Sequence, residues 1–275
     1  MKLPRPHLPF FAADDMDKRP FPAWEYHVHS LFSDGSSSLA TLINHARTQG
    51  ITRLIFTEHT EPDLVDGPDW FKPYWREATR LRLLEKPPEK RKKASSSTKG
   101  MEILFGLEVP ITDFGGGLLM SAEMAEKAEF ILGAVHAYPG YGWTMGDLPP
   151  EQAIELEFKG LMALAENPRI DAIAHPGGIC EKFAAPFPLS LFEEVVRKAT
   201  SNGIAIELNP AYQEPLAPYL AVCRRHNALI SPGSNVHHLE QIGRASHELS
   251  TLQNKSTLDR HRHPQHQRVR AACKN

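Results

Sequence analysis

Short apolar runs alternate with longer amphipathic segments along most of this chain, and nearly every apolar run ends in a residue able to bind a metal ion. The runs read as strands at 24–29, 51–57, 102–107, 130–135, 172–174, 204–208 and 229–231. Between the first two, Leu39, Leu42, Ile43 and Ala46 recur at helical spacing, with an N-cap among residues 36–38 and a stop at Gly50. Further helices are predicted at 75–84, 151–165, 191–200, 215–226 and 239–252. Such alternation, about seven βα units, predicts an α/β fold with a parallel sheet or barrel.

Bulk properties narrow the class. A single α/β barrel can use all 275 residues, and 41 % apolar content is ample for its core. The formal net charge of -2 makes no case for nucleic acid or a membrane surface as partner. No apolar run reaches the roughly 18 residues needed to span a bilayer, and residues 1–17 hold no secretory h-region. Three dispersed cysteines, Cys180, Cys223 and Cys273, argue against a disulfide framework and for a reducing, cytoplasmic setting. The expected organisation is an irregular Pro-rich lead-in at 1–22, a barrel domain at 23–250 and a disordered, His- and Arg-rich tail at 251–275. A basic Pro/Ser-rich stretch at 86–99 is expected to be a disordered insertion.

The chemistry lies at the strand ends. His27 and His29 stand two apart, which puts both rings on one face of a strand, and Asp34-Gly35 follow where the chain must turn. Glu58-His59 end the second strand, Glu108 the third, His136 the fourth and His175 the fifth, while Asn235 and His237 follow the seventh. In a parallel barrel these ends meet on one face, where active sites sit. Imidazole with carboxylate and no Cys suits Zn, Mn or Fe. The candidates outnumber the ligands one four-coordinate ion takes, so two or three ions bridged by carboxylate and water are expected, able to clamp phosphoryl oxygens. Glu58 should point away from His59 and brace its neighbours. Lys72, Lys182, Tyr138 and Tyr212 are the candidates for substrate contact. Gly115-Gly116-Gly117 lacks phosphate-loop spacing and reads as a turn.

The strings HVHSLFSDG, FTEH, GLEVPI, GAVHAYP, AHPGG and PGSNVHH, in that order over about residues 24–243, resemble the PHP (polymerase and histidinol phosphatase) superfamily of metal-dependent phosphoesterases. The resemblance implies a distorted (β/α)7 TIM-like barrel with up to three metal ions at the C-terminal ends of the strands. It matches His27, His29, His59, His136, His175 and His237 to the ligand histidines, Asp34 to an acidic position that ligates in some members, and Glu108 to the bridging carboxylate. His27, His29, Glu108 and His237 are accordingly the expected catalytic group. Asn235 stands where the family usually has Asp, and its neutral amide implies a weaker subsite. The activity implied is hydrolysis of a small phosphomonoester by a metal-bridged hydroxide, with histidinol phosphate a reasonable first substrate. Two alternatives stay open: an amidohydrolase-type metallohydrolase, against which stands the lack of a lysine at a matching strand end, and a degenerate metal-binding barrel without turnover, favoured by Asn235 alone. Oligomeric state is not legible.

Overall fold

Residues 10–85, 100–142 and 147–262 are described by the structure, a computed structural model. The elements in chain order are β1 (Phe11–Ala12), β2 (Trp24–Val28), α1 (Leu39–Thr48), β3 (Arg53–His59), α2 (Phe71–Glu85), β4 (Glu102–Pro110), α3 (Ala122–Lys127) and β5 (Ile131–Ala134). There follow α4 (Pro150–Ala165), β6 (Ala172–Ile173), α5 (Gly178–Phe183), α6 (Leu189–Ser201), β7 (Ala205–Leu208), α7 (Leu216–Arg225), β8 (Leu229–Pro232) and α8 (Arg244–Arg262). The expected basic insertion at 86–99, His263, His266 and Cys273 lie outside the described residues.

One sheet in the order β1-β8-β7-β6-β5-β4-β3-β2 organises the chain. Strands β2 to β8 run parallel, as the βα alternation requires, and β1 joins β8 antiparallel. The sheet curls until β2 meets the segment after β8. There His29 donates its N–H to the Val236 carbonyl and Val236 donates to that of His27, both at 2.9 Å. This is the TIM-like barrel the sequence predicts.

Side-chain alternation divides the core in two. Tyr26, Ile55, Leu104, Phe130 and Leu132 point into the barrel, and Ala134, Ala174 and Ala205 lie among them. Aromatic bulk fills the barrel: Trp24 stacks on Tyr26 with centroids 5.5 Å apart, and Phe10 and Phe130 each meet Tyr26 edge-on at 6.2 Å. Leu54, Phe56, Phe105, Ile173 and Ile206 face outward against the helices. Helix α1 follows its sequence signals, with Ser38 Oγ accepting from the Thr41 N–H at 3.2 Å and Leu39, Leu42, Ile43 and Ala46 buried.

Two expectations about the ends need correction. The tail is not disordered from residue 251, because α8 continues to Arg262. The lead-in is not irregular in its described part, because Phe11–Ala12 form a strand and Ala13–Asp17 a 3-10 turn. One polar residue joins both. Buried Gln253 accepts from the Phe21 N–H at 2.8 Å and donates to the carbonyls of Met16 and Arg19. A glutamine in this role leaves no mark on an apolar periodicity count. The short helices α3 and α5 carry no sequence signal of their own, since six residues give too little periodicity.

Tyr26 is fully buried, and its hydroxyl accepts from Arg53 Nη1 at 2.9 Å. Tyr26→Ala should destabilise the fold by about 3–5 kcal/mol, since the aromatics around it cannot collapse into the gap. Tyr26→Phe should cost roughly 1 kcal/mol, the worth of one hydrogen bond. Urea denaturation of both variants measures the difference.

Candidate metal centre

The first strand delivers its histidines through a bulge. In β2, Glu25 pairs with Leu54 but Val28 with Phe56, so β2 holds one residue more than β3 over this stretch. Tyr26 therefore packs inside the barrel, and the next residue, His27, also reaches the interior, facing Glu108 and Glu207. The chain then turns sharply at Ser33-Asp34-Gly35. A Cβ on Gly35 would lie 2.3 Å from the His29 carbonyl oxygen, so only glycine permits this approach. Glu58 points away from His59 and accepts from the Ser30 N–H at 3.0 Å and from the Ser30 and Ser33 hydroxyls at 2.6 Å each. It braces the turn that presents Asp34.

Glu108 is the hub. It is fully buried, and five imidazoles surround its carboxylate: His136 and His175 at 3.0 Å, His27 at 3.1 Å, His59 at 3.4 Å and His29 at 3.5 Å. Register sets part of this, because His59 on β3 lies directly beside Glu108 on β4. Nearer the rim, Asp34 meets His237 at 3.1 Å and His59 at 3.5 Å. All nine residues singled out from the sequence, Asn235 included, are thus brought to one end of the barrel.

Sequence reasoning missed two carboxylates. His27 Nδ1 donates to Glu207 Oε1 at 2.6 Å, and Glu207 Oε2 accepts from the His175 N–H at 2.5 Å. His136 Nδ1 donates to Glu61 while its Nε2 faces Glu108. His237 Nδ1 donates to the Asn235 carbonyl at 2.9 Å and turns Nε2 towards Asp34. In each case one ring nitrogen is anchored and the other is presented, the arrangement that orients metal-ligating histidines. Glu207 stands alone as a charge in the run Ile204-Ala205-Ile206-Glu207-Leu208, the same signal that marked Glu108. Glu61 lies past the end of β3, where no period sets its direction.

Electrostatics follow from burial set against pairing. Burial opposes charge on His27, yet Glu108 and Glu207 outweigh it and raise its pKa to about 10. His136 is raised in the same way, by Glu108 and Glu61 against burial. Burial would raise Glu61 and Glu108, but the imidazoles hold Glu61 down at about 2 and Glu108 well below the usual carboxylate range. His29 is lowered, first by burial and then by His59 and His27. The backbone is strained at two site residues, with φ of 23° at His175 and 50° at Asn235.

The residues fit a cluster of divalent ions. Buried His27 Nε2, His29 Nδ1, His59 Nδ1 and Glu108 Oε2 make no hydrogen bond, and four orphaned polar atoms in one place call for a ligand. Overlapping groups whose ligand atoms lie within 4.8 Å of one another are His29-Asp34-His59-His237, His27-His29-Glu108, His27-His175-Glu207 and His59-Glu108-His136. Imidazole and carboxylate together suit Zn, Mn or Fe.

A family model described as the PHP domain matches residues 25–211. The chain belongs to the PHP domain family. This PHP chain is 29 % identical over 227 residues to a probable phosphatase of Acetivibrio thermocellus, covering 79 % of the chain and 80 % of that protein. It is 26 % identical over 237 residues to a probable phosphatase of Syntrophotalea carbinolica, covering 83 % and 85 %. The crystal structure of histidinol phosphate phosphatase from Lactococcus lactis, complexed with zinc, L-histidinol and phosphate, matches with a TM-score of 0.62 at 18 % identity, covering 84 % of this PHP chain and 92 % of that one. At that identity the likeness is one of fold.

Two outcomes follow. Glu207→Gln should lower metal affinity about 10- to 100-fold, because the carboxylate accepts from both His27 Nδ1 and the His175 N–H whereas a neutral amide has one acceptor oxygen for the two donors; competition with a chromogenic chelator reads this directly. Asn235 now accepts from His29 Nε2 at 3.0 Å and donates to the Tyr212 hydroxyl at 3.0 Å. Asn235→Asp supplies an anionic oxygen there and should raise bound metal per chain by elemental analysis.

Proposed function

We propose that this chain is a metal-dependent phosphatase that hydrolyses a small phosphomonoester. The observation that carries the reading is the cluster of five imidazoles around buried Glu108, with His237 beside Asp34 at its rim and four ligand atoms that make no hydrogen bond. Membership of the PHP family and the likeness to probable phosphatases support it. A cavity of about 410 Å³ opens over Glu108, His59, His136 and His237, at the small end of the range for metabolite-sized ligands. Among the described residues no helix is long and apolar enough to cross a membrane.

Glu108 would be shared between ions, with His27, His136 and His175 in the deep part and Asp34, His59 and His237 at the rim. His29 lies between the two parts. Bound divalent ions supply Lewis-acid stabilisation of the phosphoryl oxygens and a lowered pKa for the attacking water. The protein holds the donors rigid: Glu207 and Glu61 fix His27 and His136, and Glu58 fixes the Asp34 turn. Tyr212 covers one side of His175, with ring centroids 4.4 Å apart, and shields the deep donors from bulk water. Zn, Mn and Fe all suit this donor set, and two to three ions match its extent.

The test is a panel of phosphomonoesters, histidinol phosphate included, assayed after chelation and reloading with Zn, Mn or Fe. Turnover should vanish on chelation and return with at least one metal. Glu108→Gln should lower kcat at least about a hundredfold, with loss of bound metal. Metal-loaded protein that turns over no member of the panel would support a binding barrel instead. Metal uptake should also strengthen as pH rises, because the folded protein holds protons on His27 and His136 that the ions must displace; calorimetry in buffers of differing ionisation enthalpy counts the protons released.

A further inference from the structure

The cavity above the metal centre is lined unevenly. Its depth holds the imidazoles and Glu108, whereas one wall is Ile179, Phe183 and Tyr212. Among the described residues, Lys182 is the one lining side chain of fixed positive charge. Its Nζ lies 5.1 Å from the Tyr212 ring centroid and 5.6 Å from that of Phe183.

Lys18, Lys127, Lys159 and Lys198 each hold a carboxylate, while Lys72, Lys182 and Lys255 make no ion pair among the described residues, and of these three only Lys182 lines the cavity. Glu181, its neighbour in sequence, accepts from the Phe187 N–H at 2.8 Å, and Asp34, which lines the same cavity, meets His237 at 3.1 Å. The aromatic wall is equally particular. Tyr212 is fixed between His175 and Asn235, and it seats against Gly178, where a Cβ would lie 2.8 Å from its ring. Phe183 lines the cavity yet keeps 50 % of its surface exposed, so its ring is open to a ligand there. A rigid ring beside the centre, an exposed ring at the mouth and an unpaired ammonium over both form a continuous track.

We infer that the substrate's leaving group carries a second anionic group, received by Lys182, on an apolar or planar body that lies along Tyr212 and Phe183. The inference rests on the phosphatase reading, which seats the phosphate at the centre and so directs the ester body along this wall. Charge decides the class. A second carboxylate or phosphate gains the uncompensated ammonium, whereas an alcohol bearing its own ammonium, as histidinol does, is repelled by it. The aromatic faces hold Lys182 through their negative quadrupole while leaving its donors free for oxygen.

Metal-loaded protein is assayed with phenyl phosphate and with its para-carboxy and para-aminomethyl derivatives. The wild type should favour the carboxy over the aminomethyl ester about tenfold in kcat/KM, the scale of two partly exposed charge interactions of opposite sign. In Lys182→Gln that ratio should fall to within about twofold of one, and Lys182→Glu should invert it. Calorimetric binding of 4-carboxybenzylphosphonate against benzylphosphonate gives the same comparison without turnover. An unchanged ratio in Lys182→Gln, or no preference in the wild type, overturns the inference. If none of the esters is hydrolysed while Lys182 still favours the carboxylated phosphonate, the phosphatase reading fails and the anion subsite stands.

Discussion

A carboxylate with no access to water, Glu108, sets the terms for everything above the barrel's aromatic floor. An isolated charge at such depth is destabilising by several kcal/mol. Here it is offset by imidazoles at or just past the ends of β2, β3, β5 and β6, none more than 3.5 Å away. Those imidazoles are in turn held by Glu207, Glu61 and Asn235. Each carboxylate of the centre thus has imidazole beside it, while His27 Nε2, His29 Nδ1, His59 Nδ1 and Glu108 Oε2 are left without a hydrogen bond. Such a network keeps donors close together that would repel one another if all were charged.

The barrel makes this possible through closure. His27 belongs to β2 at one edge of the sheet, His29 follows it directly, and Glu207 belongs to β7 near the other edge. Only the curl that joins Val28 to Val236 brings these edges within hydrogen-bonding distance. Small residues on the middle strands, Ala134, Ala174 and Ala205, leave room beneath the cluster, where Tyr26 and Phe130 fill the barrel. The β2 bulge gives the same strand two tasks, sealing the barrel with Tyr26 and arming the site with His27.

Much of this was legible in the linear chain. Strand-end histidines, the Ser-Asp-Gly turn and the lone Glu108 in an apolar run each carry a local signal that needs no knowledge of neighbours. Glu207 carries the Glu108 signal too, a lone charge within the apolar strand run 204–208. Glu61 carries none, since its partner His136 is 75 positions away and its own loop has no period. The ends of the chain were misjudged for a related reason. Gln253 ties α8 to the lead-in through backbone groups of residues 16–21, and hydrophobic counting does not register an amide that satisfies carbonyls.

The order of residues determined the parallel βα architecture and which side chains at the strand ends are candidate donors, because strand period and side-chain chemistry are local properties. Tertiary structure decided which donors share Glu108, which ring nitrogen each histidine presents, and that Lys182 lies over Tyr212 at the mouth. Those outcomes depend on distances between groups up to about two hundred residues apart, such as His237 and Asp34 at a separation of 203, and only the closed sheet sets such distances.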